Sequence, residues 1–411
     1  MLFYKRKKYI KSASLNRLAW QRLMKDKVAV FSMIFICIIF LISILGYLIT
    51  PDNTPFANEQ HLELCTKKPG FSVKVLKIKK NEKPVNTPLF KYLLFGKKND
   101  YNFIPINDYY FEGNEIVINK YSEQNDTIIK KYSLADVIFP ISKIDNSIII
   151  ENNNLIFKDI NNKLIKCSVK ELRHRIEREN IKKKRYVLGT DRFGRDVLSQ
   201  LMIGARVSLS VGFISVIISL IIGILLGALA GFFKGWVDNL IMWVINVVWS
   251  IPTLLLVIAI TFALGKGFWQ VFIAVGLTMW VEVARIVRGQ VLSIREKEYI
   301  EAGRALGFKN FRIIFRHILP NVLGAVIVVS AANFASAILL EAGLSFLGIG
   351  VQPPMPSWGS MIKENYGFII LDYAYLAILP GICIMLLVLA FMLLGNSLRD
   401  ALDVKTVNVK N

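Results

Sequence analysis

The 411-residue chain is short of the residues that aqueous chemistry requires. Only 20% of it is Asp, Glu, Lys or Arg, against about 25% in an ordinary soluble domain. Its three histidines, His61, His174 and His317, are scattered. No HExxH run occurs, and no His/Cys/acid group has the spacing of a metal site. No GxxxxGKS or GxxxxGKT run occurs, so the chain has no loop of the type that cradles ATP phosphates. Glu282 and Glu341, the acids near apolar segments, stand singly near predicted span ends, which removes paired-carboxylate chemistry. Each has either an interfacial or structural role or, as an intramembrane acid, a functional one. The four cysteines include no CxxC pair, and a disulfide-stapled small domain is excluded at this length. These absences argue against an enzyme and against a cofactor on this chain.

What is abundant is apolar sequence. Hydrophobic residues make up 54% of the chain, gathered in blocks of roughly 20, the length that crosses about 30 Å of hydrocarbon. A soluble or disordered protein is thereby excluded. The blocks lie at 28–49, 208–230, 236–263, 268–287, 322–340 and 374–394. The first is too long and starts too late for a cleaved signal peptide, so an uncleaved anchor is expected. It follows a basic arm, residues 1–27, with Lys5, Arg6, Lys7, Lys8 and Lys11 near its start and Asp26 as its single acid. By the positive-inside rule this arm is cytoplasmic. Six crossings then return the tail, residues 405–411, to the same side. The net charge of +21 would suggest nucleic acid in a soluble protein. Beside apolar blocks it sets orientation and meets anionic headgroups, so the expected partner is membrane lipid and not nucleic acid.

Residues 50–187 form an insert of different character, rich in Asn, Lys and Ile. Runs at 71–78, 115–119 and 147–150 read as strands. Runs at 155–160 and 163–169, joined by Asn161-Asn162, read as a hairpin because Asn tolerates positive φ in a tight turn. Ser168 with Glu171 predicts a capped helix running to about Lys184. With the N-terminus inside, this insert is extracytoplasmic; its own basic charge is no obstacle, since long loops translocate regardless of charge. A Cys65–Cys167 disulfide is open to it on an oxidising side, while Cys37 and Cys383 read as packing residues inside apolar blocks.

The second block carries a small-residue stripe: Ser208, Gly212, Ser215, Ser219, Gly223, Gly227 and Gly231. Steps of three and four place them on one helical face, where a second helix can approach closely. Packing within one bundle is favoured over a subunit interface. Pro252 and Pro380 are expected to kink their spans.

The segment 285–320, a predicted cytoplasmic loop, is the most informative. Arg285, Arg288, Arg295, Lys297, Arg304, Lys309, Arg312 and Arg316 outnumber its acids. Within it, Glu298, Tyr299, Glu301, Ala302, Gly303, Ala305 and Leu306 predict a short helix whose stripe of Tyr299, Gly303 and Leu306 suits a groove on another protein; a solvated amphipathic loop is the plainer alternative. Gly307 ends or bends that helix.

These residues resemble the EAA coupling loop of ABC-importer permeases: Glu301, Ala302, Gly307, Leu319 and Pro320 fall at matching positions. Gly303 stands where the family has a second alanine, and His317 where many members have isoleucine. The likeness extends to Leu188-Gly189-Thr190-Asp191-Arg192-Phe193-Gly194-Arg195-Asp196, to Ser250-Ile251-Pro252-Thr253, to Glu341-Ala342-Gly343-Leu344-Ser345-Phe346-Leu347-Gly348 and to Pro356-Ser357-Trp358-Gly359. All are similar to the dipeptide/oligopeptide permeases of the C type. The likeness covers residues 186–404 almost continuously and 15–50 at the N-terminus, and says nothing of the insert.

The resemblance implies an all-α polytopic membrane protein with six transmembrane helices, of the type I ABC-importer permease kind, plus an extracytoplasmic mixed α/β insert. The core would span 188–404. It further implies a bacterial inner-membrane location and transport by alternating access, with di- or oligopeptides as cargo; nickel chelates, opines and glutathione are alternatives within the family. A non-transporting receptor or scaffold is the alternative of another class. Implied partners are a second, B-type permease, two ABC ATPases that bind ATP and Mg, and an extracytoplasmic substrate-binding protein. Glu298, Tyr299, Glu301, Ala302, Gly303, Ala305, Leu306 and Gly307 would couple to the ATPases. Asp191, Arg192, Arg195 and Asp196, expected in an amphipathic segment, would touch the binding protein or cap an outer gate, or else anchor the segment among headgroups.

Overall fold

The computed structural model describes residues 15–83, 87–123, 127–141, 148–151, 153–265 and 267–402. The start of the basic arm, Ser147 and the C-terminal tail lie outside the described residues.

Helix α1 (Leu15–Leu23) leads into α2 (Lys27–Ile49), which Asp26 caps by accepting from the Val28 amide at 2.9 Å. The insert follows. It contains β1 (Ser72–Lys79), α3 (Leu89–Phe95), β2 (Tyr101–Glu112), β3 (Glu115–Lys120), β4 (Ile129–Ser133), α4 (Leu134–Ile138), β5 (Ile149–Glu151), β6 (Asn154–Lys158), β7 (Leu164–Ser168), α5 (Val169–Arg175) and β8 (Ile181–Arg185). Five strands make an antiparallel sheet in the order β4-β3-β2-β1-β8, and the other three make a smaller one, β5-β6-β7. Both share a core with α4 and α5, built on Leu76, Ile106, Ile118, Leu134, Phe157 and Leu172.

The predicted hairpin is present, with Asn162 at φ 60° and Asp159 accepting from the amides of Asn161 and Lys163 at 2.8 Å. The helix predicted to reach Lys184 is shorter. Ser168 caps α5 as expected, but the chain then makes a wide turn. Asn180 Nδ2 donates to the carbonyls of Lys77 and Val137, and residues from Ile181 onward pair with β1. A strand wins there because the edge of β1 offers unpaired backbone groups, which a helix would leave unsatisfied.

The remaining helices are α6 (Val197–Phe233), α7 (Gly235–Trp249), α8 (Thr253–Leu264), α9 (Phe268–Arg295), α10 (Glu298–Ala305), α11 (Asn310–Ile313), α12 (Leu319–Phe346), α13 (Trp358–Asn365) and α14 (Tyr375–Leu402). Among the described residues, five helical segments are long and apolar enough to cross a membrane, or six if α7 and α8, bent by 94°, are counted together as one span. The fold is therefore a mostly helical bundle with a sheet-containing insert.

Contacts fix the path. Gly46 near the end of α2 meets Ile203 early in α6; Ser208 of α6 meets Glu341 of α12; Gly395 of α14 meets Ala331 of α12. The described ends meet too, through the Ser397 hydroxyl on Asp26 at 2.5 Å and through Leu23 packed with Ala401. They lie at the end of the bundle away from the insert.

The small-residue stripe packs within the bundle, Ser208 and Gly212 against α12 and Ser215, Gly223, Gly227 and Gly231 against α9. A Cβ on Gly223 would lie 2.5 Å from Val283 Cβ, one on Gly227 2.5 Å from the Ala284 carbonyl oxygen, and one on Gly231 2.9 Å from that of Arg288. The partner numbers rise together, so α6 and α9 run parallel. Where lipid supplies no hydrophobic drive between helices, this close approach gains van der Waals contact instead.

Most spans outrun their apolar blocks. Helix α6 begins eleven residues before the predicted start because Asp196 caps it, accepting from the Ser199 amide at 2.9 Å, and because Val197, Leu201 and Ala205 bury against Trp358 and Leu376. Pro252 breaks the third span instead of kinking it. Lacking an amide hydrogen, it starts α8, while Ser250 Oγ folds back onto the Val247 carbonyl at 2.7 Å. Helix α14 runs through Pro380.

Candidate functional site

The segment expected to couple with other proteins is a helical elbow at the end of the bundle opposite the insert. The sequence placed 285–320 in one loop, whereas residues up to Arg295 continue α9 and those from Asn310 lead into α12. The connection is reduced to α10 and its flanks. Its base is rigid. Arg288 makes a bidentate pair with Asp238 of α7 at 2.5 and 2.7 Å, the fork geometry in which guanidinium–carboxylate pairs are strongest. Arg295 donates to the Phe232 carbonyl, and Lys234 pairs with Glu296 at 2.6 Å. One side of α10 is anchored inward by Ile300, which joins Val291, Ile294 and Ile318.

Gly307 closes the elbow. Its φ of +78° is a left-handed value that favours glycine. The Phe308 amide bonds the Gly303 carbonyl at 3.1 Å and the Gly307 amide bonds that of Arg304 at 2.9 Å, the paired bonds of a Schellman cap. Arg312 then lies over the Phe308 ring at 4.2 Å, and the ring stacks on His317. Gly303 thus faces inward beneath Phe308, not outward with Tyr299 and Leu306 as the helical stripe suggested. A Cβ there would sit 3.4 Å from Phe308 Cδ2, ordinary contact. Gly303→Ala is therefore expected to be accepted and to stiffen α10 by up to about 1 kcal/mol. Amide exchange of the segment should slow while folded yield stays near the wild-type level; a loss of folded protein would contradict this packing.

What α10 presents outward is Tyr299, Ala302, Ala305 and Leu306, bordered by Glu298 and Glu301. Leu306 is 73% exposed. Two residues that the sequence reading passed over stand at the same end: Phe311 and Phe315, both exposed and stacked on each other at 6.0 Å. Their signal was an i, i+4 aromatic pair inside an otherwise basic run.

Above the elbow, the break between α7 and α8 opens a cleft of about 300 Å³ lined by Trp249, Thr253, Thr278, Glu282, Ser336 and Leu340 among others. Glu282 is exposed there. Arg285, three residues on along α9, stacks 3.4 Å from the Trp249 ring centroid and donates to Asn246 Oδ1 at 2.8 Å. Glu341 lies in the bundle interior and not at a span end, because α12 continues to Phe346. It accepts from Ser345 Oγ at 2.7 Å and Ser208 Oγ at 3.3 Å, tying α12 to α6.

The residues expected in an amphipathic segment occupy a compact, mostly buried turn. Asp191, Arg195 and Asp196 are buried, and only Arg192 is exposed. Arg195 pairs with Asp191 at 2.6 Å and with Glu364 of α13. Burial works against its charge, but these two carboxylates raise its pKa. The turn is wedged into the insert: a Cβ on Gly189 would strike the Lys67 carbonyl and one on Gly194 that of His61. Beside it, burial works against the Glu59 carboxylate, yet the His61 imidazole 3.9 Å away and the Lys184 ammonium at 2.8 Å outweigh that and hold its pKa down at about 2. This ionic joint seats the insert on the bundle.

The disulfide does not form; all four cysteines are free. Cys65 sits beside the turn, donating to the Arg192 carbonyl at 3.0 Å. Cys167 lies on β7, paired with Leu155 in the smaller sheet. The two thiols belong to different packing units.

Comparison with known proteins follows the same division. The family described as "Binding-protein-dependent transport system inner membrane component" matches residues 223–407, and the "N-terminal TM domain of oligopeptide transport permease C" matches residues 14–64. The glutathione transport system permease protein of Pectobacterium atrosepticum is 42% identical over 218 residues, covering 53% of this chain and 72% of that protein. The dipeptide transport system permease protein of Alkalihalophilus pseudofirmus is 45% identical over 217 residues, covering 53% and 71%. A chain of the inward-facing MetNI methionine ABC transporter superposes with a TM-score of 0.42 at 20% identity, over 50% of this chain and 97% of that one.

Proposed function

Because this chain belongs to the inner-membrane permeases of binding-protein-dependent ABC importers, we propose that it forms one half of a short-peptide importer whose ATPases dock on the α10 elbow. The single observation that carries this is the elbow itself. Tyr299, Ala302, Leu306, Phe311 and Phe315 are left uncovered on a base locked by Arg288–Asp238 and Lys234–Glu296. Rigid anchoring on one side and uncovered apolar side chains on the other are what a lever needs to pass motion from a docked subunit to α9 and α12.

In this reading the elbow and both chain ends are cytoplasmic and the insert is extracytoplasmic. The basic residues Lys234, Lys297, Arg304, Arg316 and Arg399 gather at the elbow end, in keeping with the positive-inside rule. A second, homologous permease completes the channel, an external binding protein delivers the cargo, and ATP and Mg are bound by two partner ATPases. The cargo is a dipeptide or glutathione, as the names of the two relatives indicate.

Mild cross-linking in native membranes, followed by purification of this chain and mass spectrometry, tests the assembly. A second permease and one or two ATPases are expected. Recovery of the chain alone, with no ATPase binding on reconstitution, would favour a non-transporting scaffold. ATP-driven vesicle uptake of labelled dipeptide against labelled glutathione separates the two cargoes.

A further inference from the structure

The insert exposes an apolar surface on α3 that its own core does not cover. Helix α3 buries none of its residues and leaves Leu89, Phe90, Leu94 and Phe95 uncovered, Phe90 at 75% exposure. Its height relative to the bundle is fixed. Tyr92 Oη donates to the Tyr47 carbonyl at 2.9 Å and accepts from Asn53 Nδ2 at 3.1 Å. The Arg206 guanidinium donates at once to the Leu94 carbonyl at 2.8 Å and to the carbonyls of Ser43 and Ile44 of α2 at 2.8 and 2.9 Å. At Gly96, which ends α3, a Cβ would lie 2.8 Å from the Asn53 carbonyl and 2.9 Å from the Tyr47 ring. The helix is therefore pinned to the last turns of α2.

One guanidinium cannot bridge distant levels, so Leu94 lies at the height of Ser43 and Ile44. At 1.5 Å per residue that is roughly 8 Å short of the end of α2 at Ile49. At that level α2 itself exposes Leu41, Ile44, Leu45 and Leu48. The apolar face of α3 thus continues the lipid-facing surface of a membrane-spanning helix. A surface helix sits about 5–10 Å into the headgroup–acyl boundary, and a helix pinned to the last turns of a spanning helix is within reach of that layer. Lys91 and Lys98 are exposed on and just beyond α3, long enough to bring their ammonium groups up to phosphates while their stems stay apolar.

We propose that α3 is an interfacial membrane anchor whose occupant is the lipid bilayer, with Leu89, Phe90, Leu94 and Phe95 among the acyl chains and the lysines at the headgroups. It holds the insert down against the membrane beside α2, so that the insert is seated from two sides: by α3 on the lipid and by the Asp191–Arg195–Glu364 turn on the bundle.

Spin-label accessibility tests this. In the full-length chain, with its four cysteines replaced by serine, labels are placed at Phe90→Cys and Leu94→Cys. Leu48→Cys on α2 and Tyr110→Cys on β2 serve as references. The protein is reconstituted with its co-purifying subunits into vesicles of phosphatidylethanolamine and phosphatidylglycerol. Labels at 90 and 94 should collide with oxygen in preference to a water-soluble nickel chelate, as at 48 and opposite to 110. Nickel-dominated collisions, as at 110, would overturn the proposal, and so would low collision rates with both, which would mean a protein cover. A second readout needs no cysteine removal: lipids brominated in mid-chain should add quenching in Phe90→Trp beyond that of the unsubstituted chain, and no added quenching would likewise overturn it.

Discussion

Gly227→Val is expected to remove folded protein from the membrane. The new Cβ would lie 2.5 Å from the Ala284 carbonyl oxygen and 2.9 Å from Val287 Cβ. Neither neighbour is the free end of a flexible side chain, so α6 and α9 must move apart. Gly223 and Gly231, on the same face, hold comparable contacts at 2.5 and 2.9 Å, and separation at one site loosens all three. Overpacking of this sort typically costs about 1–3 kcal/mol, and the loss of adjoining contacts puts this case at or above the upper value. Fluorescence-detected size exclusion of the detergent-solubilised chain measures it. Gly289→Val is the control, because a Cβ there meets nothing within 4 Å. Equal folded yields for the two variants would show that α6 and α9 are not packed in parallel through this seam.

Gly307→Val and Glu301→Lys are expected to act on transport and not on folding. At Gly307 a side chain meets open space, so the cost is confined to the left-handed backbone, about 1–2 kcal/mol. That strain falls on the Schellman turn that aims α10, not on the buried bundle. Glu301 is exposed in the first turn of α10, where a carboxylate suits the helix dipole and a lysine does not. Folded yield should remain close to wild type and ATP hydrolysis should continue, while cargo uptake per ATP falls at least about tenfold, equivalent to 1.4 kcal/mol of lost coupling. Wild-type uptake per ATP in both variants would remove the elbow from the coupling mechanism.

The parts of this site that were legible in the sequence were those set by local chemistry. Gly307 ends a helix because of its own backbone freedom. Ser168 caps a helix through a side chain three residues from the amide it accepts from. The face of Gly303 was not legible, because a stripe of small residues has two sides until Phe308 and Ile300 choose one. Phe311 and Phe315 were passed over for a related reason: two aromatics in a basic run read equally as core, and only their exposure identifies them as surface. The burial of Asp191, Arg195 and Asp196 was not legible either, since the Arg195 pair with Glu364 spans 169 positions of the chain.

What the sequence by itself determined is where the chain is apolar for long enough to span a bilayer, that the stripe on α6 must meet another close-packed helix, and that the EAA segment is a short helix ended by glycine. Each follows from residues within a turn or two of one another or from the length of an uninterrupted run. Only the tertiary structure decided that the later part of the stripe meets α9 in parallel, that Pro252 separates α7 from α8, that residues 181–185 complete a sheet and not a helix, that Cys65 and Cys167 stay apart, and that α3 lies beside the last turns of α2. These depend on which distant surface is close enough to satisfy a backbone group or fill a gap, and that proximity is a property of the packed chain.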